Sequence, residues 1–131
     1  MSRIAYVDGV YQPIDVPGIH VEDRGYQFAD GVYEVCAVHN TRLIDEDAHL
    51  DRLERSLAEL GIAAPMSRAA MKIVVRETLT RNRIRNGIVY MQVTRGVATR
   101  DHNYPAGLKP VLVVTARHTN PARRASVLRD G

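Results

Sequence analysis

The sequence has no tryptophan, one phenylalanine, one cysteine and, among 18 basic residues, only two lysines, Lys72 and Lys109. Each scarcity excludes something. A lone thiol, Cys36, closes no internal disulfide, which suits a reducing cytoplasm. Its place in an apolar, strand-like run predicts a buried and inert side chain rather than a nucleophile. No apolar stretch approaches the roughly 20 residues of a membrane span, and MSRIAYVDG lacks the apolar run of a secretory signal. A cytoplasmic chain with no membrane segment is therefore expected. Basic residues are not interleaved with aromatics and no nucleic-acid-binding motif is present, so no nucleic-acid partner is expected. His20, His39 and His118 are dispersed without metal-ligand spacing, and no metal is expected. Neither a phosphate-binding glycine loop nor a nucleophile elbow occurs.

What is present is ordinary in bulk and particular in detail. The 131 residues, 45% apolar and 25% charged, fit one globular domain. The net charge of +3 and pI of 9.3 come almost entirely from arginine. These arginines are scattered among 15 acids, apart from RNRIR at 81–85 and the pair Arg123 and Arg124. Small-anion binding by single arginines fits this pattern, because the guanidinium fork matches carboxylate and phosphate geometry.

Turn and periodicity signals outline the fold. Asp8-Gly9 divides IAYVDGVYQPI into a hairpin, and VYEVCAVHNTRLI at 32–44 forms a second one, turning at Asn40-Thr41. Asp45 stands as helix N-cap with Glu46 and Asp47 in the first turn. Leu50, Leu53, Leu57 and Leu60 make one helical stripe that Gly61 ends. A second helix follows Pro65, capped by Ser67, with Met71, Val74, Val75 and Leu79 inward. Asn86-Gly87 breaks the chain before a strand at 88–95. Residues 96–109 form a long polar loop, and PVLVVTARH at 110–118 is a buried strand. The sum predicts an α+β two-layer sandwich, a mostly antiparallel sheet flanked by two helices.

The chemistry-bearing candidates sit in two connections and one helix. EDRGYQFADGVYEV, residues 22–35, packs three aromatics, two glycines and several acids around one arginine, a mixture that suits a ligand-bearing loop placing Tyr33. A core tyrosine is the plain alternative. Loops as long as 96–109 are uncommon in compact domains and are usually functional or disordered. This one holds Arg100 and His102, which project to one side if the segment is extended and together could grip a carboxylate. A solvated loop with incidental charges is the plain alternative. Arg52 lies at the edge of the leucine stripe, where it either serves a site or rests its stem on apolar neighbours.

Three blocks, EDRGYQFADGVYEV, AHLDRL at 48–53 and YMQVTRGVATRDHNYP at 90–105, stand in an order and spacing that resemble the fold-type IV, or class IV, pyridoxal-phosphate transaminases. The resemblance covers the smaller, N-terminal domain of that family, and Arg100-x-His102 resembles the carboxylate trap of its D-amino acid aminotransferases. It implies pyridoxal 5′-phosphate as cofactor and D-amino acids with 2-oxo acids as substrates. It also implies Arg52 at the cofactor phosphate, with Tyr33, Arg100 and His102 at the substrate carboxylate. Arg100 and His102 would reach across a homodimer interface.

Branched-chain aminotransferases, R-amine transaminases and aminodeoxychorismate lyases share the same fold type and stay open as alternatives. The family's Schiff-base lysine has no counterpart in Lys72 or Lys109, so no catalytic residue is expected within this chain, which should be inactive alone. Residues 1–119 would be the small domain and 120–131 the linker and start of an absent larger one. That domain would cover an apolar surface. A non-catalytic interaction or carboxylate-binding module is the alternative of another class.

Overall fold

A computed structural model describes residues 3–16 and 18–120. The expected linker past Asn120 and the Arg123–Arg124 pair lie outside these residues. Turn chemistry sets the first hairpin. Asp8 and Gly9 both take positive φ, 46° and 98°, the backbone twist that joins β1 (Ile4–Val7) to β2 (Val10–Pro13) without splaying the strands. Asn40 and Thr41, at φ 49° and 67°, do the same between β3 (Gly31–His39) and β4 (Arg42–Leu43).

Only two residues separate β4 from α2 (Glu46–Leu60), and that tight connection alters the expected cap. Asp45 is held at φ 55°, in the left-handed region, and its carboxylate bonds no helical N–H. Its carbonyl accepts from His49 N–H at 3.0 Å, while Glu46 and Asp47 complement the helix dipole. Leu50, Leu53 and Leu57 are buried as the stripe predicts, each contributing about 2 kcal/mol of apolar burial. Leu60, fourth in the stripe, is instead 44% exposed. Gly61 closes the helix at φ 65°, and Ile62 N–H reaches back to Leu57 O at 2.9 Å, a Schellman ending.

In α3 (Arg68–Arg81) the Ser67 hydroxyl caps Ala70 N–H, and Met71, Val74, Val75, Thr78 and Leu79 are buried. Asn82, just past the helix, exchanges two hydrogen bonds with the backbone of Ile4 (2.7 and 2.9 Å), tying α3 to β1. Strands β5 (Gly87–Thr94) and β6 (Val111–His118) complete one sheet of order β2-β1-β6-β5-β3-β4. Every pairing is antiparallel.

Helices α2 and α3 pack on one face over Cys36, Val38, Val89, Met91, Val93, Leu112 and Val114. Cys36 is 1% exposed and donates its S–H to Ile44 O at 3.1 Å. Burial, reinforced by the nearby Glu46 charge, pushes the thiol up to about 11. On the opposite face Tyr33 and Val35, paired across to Gln92 and Tyr90, are exposed. That face is bordered at one end by α1, with Ile19 beside Gln92 and Val113 and Arg3 beside Tyr90 and Thr115. The two-layer α+β expectation thus stands. A third helix, α1 (Arg24–Phe28), lies inside the block 22–35, where the sequence pattern points to a loop.

Candidate functional site

Helix α1 is too short to hold itself together, and its environment explains why it forms. Asp23, 1% exposed, accepts from Gly25 N–H at 2.7 Å with one carboxylate oxygen and from the Thr94 hydroxyl at 3.0 Å with the other. The backbone of residues 22–30 is stitched to 95–98 by Arg24 N–H to Gly96 O (2.9 Å), Arg95 N–H to Asp30 O (3.0 Å) and Ala98 N–H to Glu22 O (3.3 Å). Gly25 is required at this seam: a Cβ there would fall 2.3 Å from the Thr94 methyl.

Three charged side chains lock the seam. Arg24 and Arg95 both donate through Nε to Asp30 Oδ2, each at 2.8 Å, and all three side chains are less than 15% exposed. Burial alone would raise the Asp30 pKa, but hydrogen bonds and charge from Arg95 and Arg24 outweigh it and hold the carboxyl below its ordinary value. The remaining guanidinium donors point outward from the clamp in two directions. Arg95 binds Leu60 O and Gly61 O, at 2.6 and 3.2 Å, fixing the end of α2. Arg24 binds Asp101 O at 2.7 Å and approaches His102 O at 3.5 Å. Tyr104 lies against both guanidiniums, 4.7 Å from Arg24 and 4.2 Å from Arg95. The 96–109 loop, though without helix or strand, is therefore held by its backbone.

That grip presents Arg100 and His102. Both flank the Phe28 ring, the guanidinium carbon 5.4 Å from its centroid and the imidazole 5.4 Å away at a 51° tilt. Both side chains are otherwise exposed. Tyr33 and Arg52 lie apart from that loop and on opposite faces of the sheet, Tyr33 on the open face and Arg52 on α2. Tyr33, 65% exposed on the open face, stacks on Tyr90 at 5.7 Å. Burial, with Tyr33 beside it, pushes the Tyr90 phenol up, so that ring stays neutral.

Arg52 reaches from α2 to Glu34, the residue after Tyr33. Its Nε and Nη2 bind both carboxylate oxygens at 2.8–3.1 Å, and His49 Nδ1 lies 2.8 Å from Glu34 Oε1. Burial opposes the Glu34 charge, yet the Arg52 and His49 contacts prevail and its pKa is lowered. The Arg52 side chain remains 58% exposed, with Nη1 free of any described partner. Among the described residues no hydrogen bond, ion pair or ring contact joins Tyr33 to Arg52, or either of them to Arg100 or His102.

Asp23, Arg24, Asp30, Glu34 and Arg95 were not among the residues singled out from the sequence. Glu34 alone had a visible signal, since strand alternation places it in phase with the buried Cys36 and Val38. Of the two lysines, Lys72 sits on α3, behind the sheet from Tyr33, with Nζ 2.7 Å from Asp47 Oδ1. Lys109 precedes β6, where its carbonyl packs so closely on Gly96 that a Cβ would lie 2.1 Å away.

Comparison with known proteins places this geometry. The sequence model of the family described as amino-transferase class IV matches residues 31–129. D-alanine aminotransferase of Bacillus licheniformis is 49% identical over 92 residues, covering 70% of this chain and 32% of that enzyme. The D-alanine aminotransferase of Staphylococcus haemolyticus is 35% identical over 118 residues, covering 89% and 42%. The chain thus spans from just under a third to just over two fifths of the length of these relatives. Among solved structures, 4-amino-4-deoxychorismate lyase from Pseudomonas aeruginosa superposes with a TM-score of 0.71 at 26% identity, covering 91% of this chain and 42% of that one. The branched-chain amino acid aminotransferase from Escherichia coli reaches 0.85 at 15% identity, with the same coverage. At that identity the likeness concerns the fold alone.

Proposed function

The chain belongs to the class IV aminotransferases, and from that premise we propose that it supplies the substrate-recognition part of a pyridoxal-phosphate-dependent D-amino acid transaminase. The observation that carries the reading is the buried Arg24–Asp30–Arg95 clamp, which fixes the backbone of the loop that displays Arg100 and His102. A buried ionic cluster is a costly way to hold a solvated loop. It is well spent on a loop whose two donors must meet a small carboxylate in one orientation. The identity to two D-alanine aminotransferases supports the same substrate class. The structural likenesses to a branched-chain enzyme and a lyase reflect the shared fold.

The roles follow from position. Arg100 and His102 offer a forked cation and a second donor side by side, and would hold the α-carboxylate. Their separation from Tyr33 within one chain fits a site completed by the loop of a second copy. Tyr33, backed by neutral Tyr90, would line the substrate side of the open face. The residues present fit the phosphate end of the cofactor. Arg52 keeps an exposed guanidinium edge at Nη1 while Glu34 fixes its other edge, so a phosphate can be met without breaking the ion pair. They do not fit covalent attachment, since the Lys72 amine is paired with Asp47. Pyridoxal phosphate, when bound, acts as the electron sink for the substrate's Cα–H bond; this chain's part is to orient the carboxylate and anchor the phosphate.

The test is a chimera in which this chain replaces the matching N-terminal part of the B. licheniformis enzyme. D-alanine transamination is expected, and Arg100→Ala in that chimera should raise the KM for D-alanine at least about tenfold, as loss of a charged partner does. A folded, cofactor-loaded chimera that prefers branched-chain L-amino acids, or an unchanged KM, overturns the reading. The chain by itself, supplied with pyridoxal phosphate and D-alanine, should show no turnover.

A further inference from the structure

The basic run RNRIR at 81–85 has no part in the site above, and the fold gives it neighbours that the sequence does not bring near. It follows α3, whose C-terminal turn places Arg83 at φ 54°, and Thr41 N–H bonds Arg85 O at 2.8 Å. This staple brings the β3–β4 turn beside the run. Between them lies a cavity of about 740 Å³, with Leu43, Leu79 and Ile84 as its apolar floor and Arg42, Arg76, Arg83 and Arg85 around it. That volume is within the range of small-molecule sites. It lies at the end of α3 and the β4 edge, away from Tyr33, Arg100 and His102.

Two features distinguish this cavity from a solvated surface. Arg76 is paired, with Glu46 Oε1 at 2.9 Å, but Arg42, Arg83 and Arg85 have no ion pair or side-chain hydrogen bond among the described residues. Elsewhere Arg24, Arg52, Arg68 and Arg95 are all matched to carboxylates. In addition, the second Glu46 oxygen, Oε2, is buried in the wall without a hydrogen-bond partner among the described residues, an arrangement that native proteins rarely leave unanswered. Three unneutralised cations beside an apolar floor attract anions, and the guanidinium fork suits a carboxylate or phosphate head. The orphan oxygen would accept from an N–H or O–H on the same molecule.

We propose that this cleft is a second binding site, separate from the carboxylate trap, for a small amphipathic organic anion. Its acidic head would be gripped by Arg42, Arg83 and Arg85 and its apolar body seated on Leu43, Leu79 and Ile84. The inference does not depend on the transaminase reading.

Nuclear magnetic resonance titration of the full chain tests it, with octanoate, acetate and inorganic phosphate as probes and amide shifts as the readout. Octanoate should move Thr41, Leu43 and residues 83–85, and bind at least about tenfold more tightly than acetate because of the buried methylenes. Phosphate should act at the same amides more weakly than octanoate. The double variant Arg83→Gln/Arg85→Gln should weaken octanoate at least about tenfold, while Arg55→Gln, an exposed arginine of α2 outside the cleft, should not. Absence of shifts at these amides up to the solubility limit of octanoate overturns the site. An equal loss in Arg55→Gln does so too, because it would reveal non-specific charge attraction. Equal affinity for acetate and octanoate overturns the apolar seat. The variants' unshifted spectra away from the cleft report that the fold is intact.

Discussion

Two ionic networks in this molecule use the same ingredients in different solvents. At the seam between α1 and the 96–109 loop, Arg24 and Arg95 share one Asp30 oxygen, and all three side chains are nearly out of water. On the outer surface, Arg68 and Lys72 of α3 meet Asp47, Asp51 and Glu54 of α2, with the acids 55–72% exposed. The surface array has more partners. Yet water already solvates its members, so contact contributes little and salt screens it. The seam has fewer partners and no substitute for them: a guanidinium there that loses Asp30 is left charged and dry. The number of ion pairs therefore ranks these regions in the wrong order.

The sharpest way to break that comparison is Asp30→Ala. It should cost about 3 kcal/mol or more, as removal of one partner from a buried pair does, read as a lower urea midpoint. The amides of residues 99–104 should also lose protection from hydrogen exchange, since Arg24 would no longer be held beside Asp101 O. A midpoint change as small as that of a typical surface variant would show that the seam is solvated after all.

Acid should act next, through the buried carboxylates. Asp30 and Glu34 both have lowered folded pKa values, so each contributes stability that is present above its ordinary value, 3.8 and 4.5, and is lost as pH falls through the folded one. Unfolding free energy should accordingly decline below about pH 4.5. The double variant Asp30→Asn/Glu34→Gln should flatten that decline relative to the wild type. An unchanged slope would move acid sensitivity to other carboxylates.

The smallest effect belongs to Arg68→Ala. Its midpoint should differ little from that of the parent, and the difference should vanish in about 1 M salt, where screening reaches only about 3 Å. A salt-resistant loss comparable to that of Asp30→Ala would erase the distinction between the two regions.

The same contrast explains what could be read from the sequence. Turns at Asp8-Gly9 and Asn40-Thr41, the leucine stripe of α2 and the Ser67 cap of α3 are local devices, and each element forms where its own residues predict. Helix α1 is different in kind. Five residues carry no usable periodicity, and it exists because Asp23 is held by Thr94 and because Gly25 lets the chain approach Thr94. Arg24, Asp30 and Arg95 look like ordinary surface charges in a one-dimensional string, and only the closure of segments some seventy residues apart buries them. Tyr33, Arg52, Arg100 and His102 are proposed for the site through resemblance to a family. The groups that hold them were not legible, apart from Glu34, whose strand phase put a carboxylate on the core side. Asp45 shows the limit of local logic in reverse. Its residue type suits a side-chain cap, but a two-residue connection dictates a backbone from which it cannot make one.

Cys36 has a use that follows from its isolation. It is the chain's single sulfhydryl, it lies beneath α2, and at neutral pH it is almost wholly protonated. Reagents that alkylate thiols attack the thiolate, so modification has to wait until the layer above it lifts. The rate of labelling in native buffer is therefore a clock for opening of the helix–sheet interface, built into the natural sequence and needing no added probe. A comparison of that clock in the parent and in Asp30→Ala would tell whether the seam at one end of the sheet and the core beneath α2 come apart in one event or in two.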